Sequence, residues 1–525
     1  MRTRRNADDG AAPSRRAAAT GRVGAASFNR PALTASIILA VVMQGVDNSI
    51  ANVALPHIQG SLSASQDTVT WVLTSYIVTA AIAMPLSGWL ATRFGIKSIF
   101  LISIGGFTLA SALCGSAASL TQLVFYRGLQ GVCGAGLVPL AQSVLFQINP
   151  QERHGQAMAV FGTGAMVGPI MGPTLGGWLT AQYNWRWVFY INVPVGLLAT
   201  IGLLVFLRES RPAHRDPFDF FGFAALSLGI GALQMLLDRG ELKDWFSSTE
   251  IWIEAALAGL GFYLVAVHTA TAGARSFLSR ELLRNRTYVA GTLMMFLVGV
   301  ILSATSALLP TMMQALMGYP VFTTGLAMTP RGFGTMIAMF LVARFVGRVD
   351  LRLIILVGLA LMLASLWQMM GFSLTMGEDP ILLSGLLQGL GLGCTAVPLN
   401  LIALSNLPHS IMTQGTALRS LMRNLGGSLG ISILESQLAE NAQTVHARLI
   451  EQLRPDNPLT HGPYLGAPFS LTNPTGIAAL GAEVTRQATM VAYIDDFLLM
   501  AIVVLACLPL LLLVRLPPAQ AAAAG

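Results

Sequence analysis

Long apolar runs recur along this chain and are separated by short polar segments. Fourteen of the runs extend for about 18 to 24 residues, the length an α-helix needs to cross the hydrocarbon core of a bilayer. The pattern therefore predicts an all-α polytopic membrane protein with fourteen transmembrane helices. The predicted spans are 33–54, 71–91, 98–117, 122–146, 157–180, 187–207, 218–238, 251–271, 288–310, 324–344, 353–373, 381–404, 412–435 and 494–514.

Composition agrees with this fold class. Hydrophobic residues make up 54% of the chain and charged residues only 10%, whereas a soluble domain carries about 25% charged residues. The four cysteines stand singly in apolar runs and the seven histidines are scattered, so we predict no disulfide framework, no metal site and no cofactor. The chain also lacks a GxxxxGK[ST] nucleotide-binding motif, so transport driven by an ion gradient is the expectation, and we predict no enzyme and no catalytic residues.

The net charge of +7 is distributed along the chain in a way that predicts topology. An arginine-rich tail precedes the first span, and basic residues concentrate in every second loop thereafter, as with Arg93, Arg153 and Arg348. Loops rich in Lys and Arg stay in the cytoplasm. We therefore predict that both termini are cytoplasmic, and we assign the basic charge to membrane orientation instead of nucleic-acid binding.

The sequence contains an internal repeat. The sequence LQG at 129–131, followed by VPL at 138–140, returns as LQG at 387–389, followed by VPL at 397–399. This offset predicts two copies of a six-helix unit with two further helices between them, an arrangement typical of transporters that bind substrate between two bundles. The predicted parts are a tail at 1–32, a six-helix bundle at 33–207, two inserted helices at 218–271, a second six-helix bundle at 288–514 that includes a periplasmic loop at 436–493, and a tail at 515–525.

One predicted span, GTGAMVGPIMGPTLGGWL at 162–179, is unusually rich in glycine and proline. Glycines at four-residue spacing give a helix a face without side chains, where a neighbouring backbone can come close. Prolines remove backbone donors and are expected to kink the helix. We predict that this helix lies inside the bundle, at an interface that rocks during transport. Its candidate residues are Gly164, Gly168, Pro169, Gly172, Pro173, Gly176 and Gly177.

Five ordered segments resemble one known family. They are GVDNSIANVALP at 45–56, GWLATRFGIKS at 88–98, YRGLQGVCGAG at 126–136, GPIMGPTLGGWL at 168–179 and FYINVPVG at 189–196. Together they resemble the fourteen-helix drug:proton antiporter branch of the major facilitator superfamily, and the run at 233–251 and the loop at 436–493 are similar to EmrB-type subunits. The resemblance implies the major facilitator fold and a proton-coupled exporter of small hydrophobic toxic compounds in the bacterial inner membrane.

The resemblance also implies partners and a gate. EmrB-type subunits work with a periplasmic membrane-fusion adaptor of the EmrA type and an outer-membrane channel, so the loop at 436–493, which carries an apolar helical stripe, is expected to dock the adaptor. The family's cytoplasmic gate motif corresponds to Gly88, Arg93, Gly95 and Lys97. The family usually carries an Asp where this chain has Thr92, which implies either another partner for Arg93 or a looser gate.

Two charged residues inside predicted spans are candidates for proton coupling. Asp47 lies in the first span, where an unpaired carboxylate is costly; the alternative is a permanently salt-bridged structural residue. Arg127 lies in the motif whose arginine the family uses in proton transfer; the alternative is an arginine that reaches the outer interface.

Further charges suggest a substrate cavity in the second bundle. With Arg127, the residues Arg331, Arg419 and Arg423 make four arginines against few membrane acids, which favours lipophilic weak acids as substrates, and a soft surface at Met336, Met339 and Phe340 would adapt to varied ligands. Helix packing is the alternative for the methionines, and an interfacial position the alternative for Arg419. The remaining acids, which are Glu254, Glu435, Asp495 and Asp496, are expected at the membrane interfaces.

Other functions stay open at this point. The same fold could carry a proton-coupled metabolite transporter, because fold does not determine substrate. A membrane enzyme or a non-transporting sensor is a rival of another class, but the scattered histidines give an enzyme no evident nucleophile and base.

Overall fold

The computed structural model describes residues 29–150, 153–209, 218–272, 276–405, 407–408, 411–453, 469 and 473–513, and these are almost entirely α-helical. Most of the predicted tail at 1–32, all of the tail at 515–525 and the proline-rich turn at 455–468 lie outside the described residues. The protein is a multi-pass membrane protein.

The helices of the first bundle begin and end at recognisable signals. The Asn29 side chain accepts a hydrogen bond from the Ala32 N–H and caps the first helix. Gly95 has φ +94°, a conformation that favours glycine, and separates two helices. The helices are α1 (Arg30–Ser61), α2 (Gln66–Val69), α3 (Trp71–Phe94), α4 (Ile96–Ser116), α5 (Leu120–Gly134), α6 (Leu137–Ile148), α7 (His154–Gln182), α8 (Trp187–Tyr190) and α9 (Asn192–Phe206).

The inserted helices and the second bundle follow. Asp219, Asn285 and Asp350 each cap a helix by accepting a backbone N–H. The helices are α10 (Phe220–Arg239), α11 (Thr249–Thr271), α12 (Arg280–Arg284), α13 (Arg286–Ala315), α14 (Val321–Phe345), α15 (Leu351–Met369), α16 (Asp379–Ser405), α17 (Met412–Gln452) and α18 (Pro474–Leu513), with 3-10 turns at Glu241–Lys243 and Trp245–Ser247.

Thirteen helical segments of the described chain are long and apolar enough to cross a membrane. They correspond to the predicted spans with one exception, the span at 412–435. That span is part of α17, where Arg419, Arg423 and several glycines and serines lower the hydropathy. Because α17 packs against α3, α13 and α18 inside the bundle, Arg419, Ser420 and Ser432 are covered by protein.

The two bundles meet along two seams. Helix α7 packs along α14, and α3 packs along α17, whereas the inserted pair α10 and α11 packs on the flank of α3. Here "basic end" denotes the end of the molecule at which α1 begins with Arg30. The opposite end is called the "hairpin end".

The hairpin is the part of α17 and α18 that extends beyond the bundle, residues 436–453 and 473–493. With 41 and 40 residues, these helices are each about 60 Å long, twice the thickness of a bilayer core. The predicted stripe at Leu438, Val445, Leu449 and Leu453 is half-buried. Helix α18 packs along α17 and carries buried Leu480 and Val484 in the hairpin, and the stripe itself is only partly exposed for a partner.

Candidate functional site

The site is centred on Asp47, in the middle of α1. Its side chain has no exposed surface. Oδ2 accepts a hydrogen bond from Arg127 Nη1 at 2.8 Å, and Oδ1 accepts one from Gln130 Nε2 at 2.9 Å and one from Asn192 Nδ2 at 2.7 Å. Asp47 is therefore ion-paired and held by three donors, which offset the cost of a carboxylate at this depth in this conformation.

Arg127 is buried from every side. Its Nη1 also donates to Gln130 Oε1 at 2.8 Å, and its Nε donates to the Val72 carbonyl at 3.1 Å. The guanidinium lies 4.4 Å from the centre of the Tyr76 ring, within cation–π range. With 1% of its surface exposed, Arg127 does not reach the membrane interface, and that alternative is wrong.

Helix positions explain how distant residues meet here. Arg127 and Gln130 are three residues apart on α5, so both face α1. Asn192 starts α9 and links the carboxylate to Ser111 on α4, because its Nδ2 also donates to Ser111 Oγ at 2.9 Å. Ser111 in turn donates to the Phe189 carbonyl at 2.8 Å. Four helices of the first bundle thus contribute to one buried polar network.

Sequence reasoning identified Asp47 and Arg127 but missed Gln130, Asn192 and Ser111. Gln130 and Asn192 lie inside two of the family-like segments, and this position was the one feature of the sequence that could have marked them as site residues. Uncharged polar residues are common in such helices, so their type alone did not mark them. The complete network can hold a charge, exchange a proton and rearrange as a unit, which are the requirements of a coupling site.

The glycine face of α7 packs against α1. A Cβ atom at Gly164 would overlap Ile38, one at Gly168 would overlap the Gly45 backbone, and one at Gly172 would overlap Ser49. This close approach confirms the predicted bare face, although the partner helix belongs to the same bundle. Around Gly177 there is open space, so it takes no part in the contact. Helix α7 runs without interruption through Pro169 and Pro173.

The seam between the bundles lies on another face of α7. Gly162 contacts Met339, Ile170 contacts Gly332, and a Cβ atom at Gly325 would lie 3.8 Å from Thr174. Met339 is therefore a buried seam residue. Met336 is half-buried nearby, whereas Phe340 is 56% exposed with Phe333, Ile337 and Leu341 on the outer face of α14. The structure does not bring Phe340 to the predicted cavity.

At the basic end, polar contacts hold the second seam together. Ser143 Oγ and Thr413 Oγ1 are 2.9 Å apart, and Arg419 Nη2 donates to Gln142 Oε1 at 3.0 Å. A Cβ atom at Gly88 would lie 3.1 Å from the Gln414 Cα atom. The predicted gate residue Gly88 thus touches the other bundle directly, and the two bundles are in contact along this seam at the basic end.

The other predicted gate residues have contacts within the first bundle. The Arg93 guanidinium lies 5.4 Å from the centre of the Trp89 ring, and Lys97 Nζ donates to the Leu204 carbonyl at 3.0 Å. Thr92, which replaces the family's Asp, donates to the Trp89 carbonyl at 2.7 Å. The Thr92 hydroxyl is therefore satisfied within its own helix and carries no charge to the seam.

The second bundle buries arginines beside neutral partners. Arg331 is 7% exposed and donates to Ser306 Oγ, the Leu302 carbonyl and Thr305 Oγ1, each at 3.0 Å. No carboxylate among the described residues pairs with it. Three neutral acceptors disperse the charge of Arg331 without cancelling it.

The two arginines of α17 differ in exposure. Arg419 is 2% exposed, and its Nε and Nη1 have no hydrogen-bond partner in the described part of the chain. Arg423 is half-buried, and its Nη2 is 3.4 Å from Asn424 Oδ1. The interfacial alternative for Arg419 is therefore wrong in this conformation, whereas Arg423 keeps part of its surface exposed.

A groove of about 690 Å³ opens at the basic end between α1 and α7. Ile38, Leu39 and Val42 form an apolar wall, and Arg30 and Arg153 stand at its mouth. An apolar wall next to two cations suits an amphipathic anion.

Comparisons with known proteins agree with this architecture. A sequence model of the Major Facilitator Superfamily matches residues 37–431. The multidrug export protein EmrB of Haemophilus influenzae is 34% identical over 473 residues, which cover 89% of this chain and 92% of that protein. The fatty acid resistance protein FarB of Neisseria gonorrhoeae is 31% identical over 499 residues, which cover 94% of this chain and 97% of that protein.

A solved structure gives the same fold. The human organic anion transporter MFSD10 (TETRAN) aligns with a TM-score of 0.58 at 14% identity, and the match covers 90% of this chain and 99% of that one. At this identity the likeness shows the fold alone.

Proposed function

We propose, from the premise that this chain belongs to the Major Facilitator Superfamily, that it is a proton-coupled exporter of hydrophobic toxic compounds with a preference for lipophilic weak acids. The observation that carries the proposal is the buried ion pair of Asp47 and Arg127. Relatives named as multidrug export proteins support the class of transport.

Proton coupling follows from the energetics of this pair. A buried carboxylate is stable only while its cation and its other donors stay in place. If a change of conformation separates Arg127 from Asp47, the carboxylate gains affinity for a proton, and restoring the pair releases that proton. Substrate movement and proton movement are linked if substrate favours the conformation in which the pair is closed.

The positive-inside rule supports one orientation. Arg30, Arg93 and Arg153 lie at the basic end, which we therefore place in the cytoplasm, with both termini there and the hairpin in the periplasm. One proton that moves inward down a potential of 100 mV supplies about 2.3 kcal/mol, enough for a roughly 50-fold concentration ratio. In alternating access, the α3–α17 seam would open at the basic end while the helices of the α7–α14 seam stay in contact and change their packing.

Three features support the preference for acids. Arg331 has only neutral partners among the described residues, Arg423 is half-buried without a carboxylate partner among them, and the groove beside Arg30 and Arg153 joins cations to an apolar wall. FarB, a relative over most of both chains, is named for fatty acid resistance. A carboxylate with an apolar tail matches all three features.

Transport by purified protein tests the function. Reconstituted protein with an imposed pH gradient should accumulate a radiolabelled medium-chain fatty acid more strongly than a lipophilic cation, relative to protein-free liposomes. Collapse of the gradient should abolish accumulation. Accumulation that persists without any ion gradient contradicts the proposal, and stronger transport of the cation contradicts the preference for acids.

The hairpin is suited to bind a periplasmic adaptor of the EmrA type, which would connect the transporter to an outer-membrane channel. It extends beyond the bilayer, and Ile450 and Ile477 near its tip are 47% and 50% exposed. Replacement of residues 440–490 by a flexible linker should spare transport in inside-out vesicles and abolish resistance in whole cells. Survival of both activities would exclude docking by the hairpin.

A further inference from the structure

Two adjacent acids on α18 have opposite environments. Asp495 is exposed, whereas Asp496 has no exposed surface. Neither carboxylate oxygen of Asp496 has a hydrogen-bond partner within the described residues. Both acids were expected at the membrane interface, and the structure adds that Asp496 is enclosed by protein there, whereas Asp495 is not.

Among the described residues, no cation forms an ion pair with Asp496. Helix α18 packs against α13, α15 and α17. Helices α13 and α15 carry charged side chains only near their basic ends, at Arg286 and Arg352. The cations of α17 are Arg419 and Arg423 toward its basic end and His446 and Arg448 in the hairpin. The ionisable groups within electrostatic reach of Asp496 are Asp495 and Tyr493.

These groups continue toward the hairpin end as an acidic row. Tyr493 is also within electrostatic reach of Glu435 on α17, and Glu435 is within reach of Glu241 and Asp238. Glu435 is half-buried and Glu241 is exposed. The row therefore runs from the buried carboxyl of Asp496 to the exposed Glu241 at the hairpin end.

Burial without a partner favours the neutral form of a carboxyl group. An isolated carboxylate in a protein interior loses its hydration without compensation, whereas the protonated group loses far less. Neighbouring acids act in the same direction because they repel a negative charge. Asp47 differs on both counts, since Arg127 pairs with it and two amides donate to it.

We propose that Asp496 is a second proton-binding carboxyl, which holds a proton in the conformation described here and exchanges it with the hairpin end during transport. The exchange breaks the carboxyl O–H bond, passes the proton to water or to the Glu435 carboxylate, and leaves Asp496 as a carboxylate. The exchange during transport rests on the proposed antiport function, but the bound proton does not. In this conformation one membrane acid is charged and paired while the other is neutral.

Infrared difference spectroscopy of the purified full-length protein tests the bound proton. At neutral pH the wild-type protein should show the carbonyl absorption of a protonated carboxyl, shifted in D₂O, which Asp496→Asn removes and Asp495→Asn retains. A wild-type-minus-Asp496→Asn spectrum without this band overturns the proposal. If the Asn variant does not fold, Asp496→Glu replaces it and should move the band, and an unmoved band has the same meaning.

The proton-to-substrate ratio tests exchange in reconstituted protein. Asp496→Asn should lower the ratio by about one proton per substrate, whereas Asp495→Asn should leave it at the wild-type value. An unchanged ratio in Asp496→Asn overturns the exchange. Failure of the antiport function itself would be recognised separately, because the wild-type protein would then move no protons with substrate while its infrared band persisted.

Discussion

In the first bundle, Arg127 is paired with Asp47, and both oxygens of the Asp47 carboxylate accept hydrogen bonds. In the second bundle, Arg331 and Arg419 are buried almost as deeply, yet their partners are hydroxyl, carbonyl and amide oxygens. Gln388, which repeats Gln130 along the chain, is also buried, but its amide atoms have no hydrogen-bond partner among the described residues. The same repeat unit therefore holds a neutralised charge in one copy and uncompensated charges in the other.

This difference suggests that the ion pair of the first bundle and the arginines of the second bundle have different roles in transport. A closed ion pair can store or release a proton but offers little to a substrate. Arginines with only neutral partners gain most from an added anion, because a carboxylate supplies the missing negative charge. We infer that the Asp47–Arg127 pair of the first bundle binds a coupling proton, and that the arginines of the second bundle, which also contains Asp496, receive the acidic part of the substrate.

The largest expected effect on stability comes from replacing one buried arginine in each bundle. Arg127→Met leaves a buried carboxylate unpaired and should lower the free energy of unfolding by about 3–5 kcal/mol. Arg331→Met leaves only neutral acceptors behind and should cost clearly less, about 1–3 kcal/mol. Denaturation in mixed micelles measures both, and the double variant Asp47→Asn/Arg127→Met should recover part of the loss. Equal losses for the two arginines would remove the contrast between the bundles.

The next largest effect on stability is expected from glycine substitutions in α7, where it packs against α1. Gly168→Ala would place a methyl group into the Gly45 backbone, whereas Gly177→Ala would enter open space. The first change should cost about 1–3 kcal/mol or more by overpacking, and the second should be nearly neutral. Thermal unfolding in detergent compares the pair. A stable, active Gly168→Ala protein would show that the α1–α7 contact tolerates separation.

A smaller and more selective effect is expected at Arg423. Arg423→Lys keeps the charge but loses the planar fork that binds a carboxylate through two hydrogen bonds. Export of fatty acids should fall about tenfold, which corresponds to ~1.4 kcal/mol, while lipophilic cations are exported as before. Parallel transport assays with the two substrates measure the ratio. An equal loss for both would indicate a structural role for Arg423.

The smallest effect concerns Asp219, between the first bundle and α10. Burial tends to raise the pKa of Asp219, but the N–H groups of Gly222 and Phe277 and the His268 side chain donate to it and hold its pKa below the usual range. A lowered folded-state pKa stabilises the protein above the unfolded pKa, and this contribution is lost as pH falls through the folded value.

Asp219→Asn should therefore lower stability modestly at neutral pH, and the gap to wild type should close in acid. Glu440→Gln, at an exposed position of α17, is the control and should leave the pH profile unchanged. Thermal unfolding across pH measures both variants. A gap that widens in acid would reverse the sign of the assignment.

Hydrophobic run length predicted most of the fold because each helix must cross the same bilayer thickness. The glycine spacing of α7 predicted a close approach, but it could not identify α1 as the neighbour, because a bare face accepts any helix. The network around Asp47 joins residues as far apart along the chain as Asp47 and Asn192, and no local sequence pattern predicts contacts between such distant residues. Asp496 shows the same limit, since one residue further along a helix turns the side chain by about 100°.

Proton movement driven by substrate tests the central assignment, the coupling role of the Asp47–Arg127 pair. Energised inside-out vesicles that contain wild-type protein should release protons when an acidic substrate is added. Asp47→Asn imitates the protonated carboxyl, so it should bind substrate but lose both uphill export and substrate-driven proton release, whereas Asp47→Glu should keep part of each. Normal proton release and uphill export by Asp47→Asn would contradict the account and show that the coupling proton binds elsewhere.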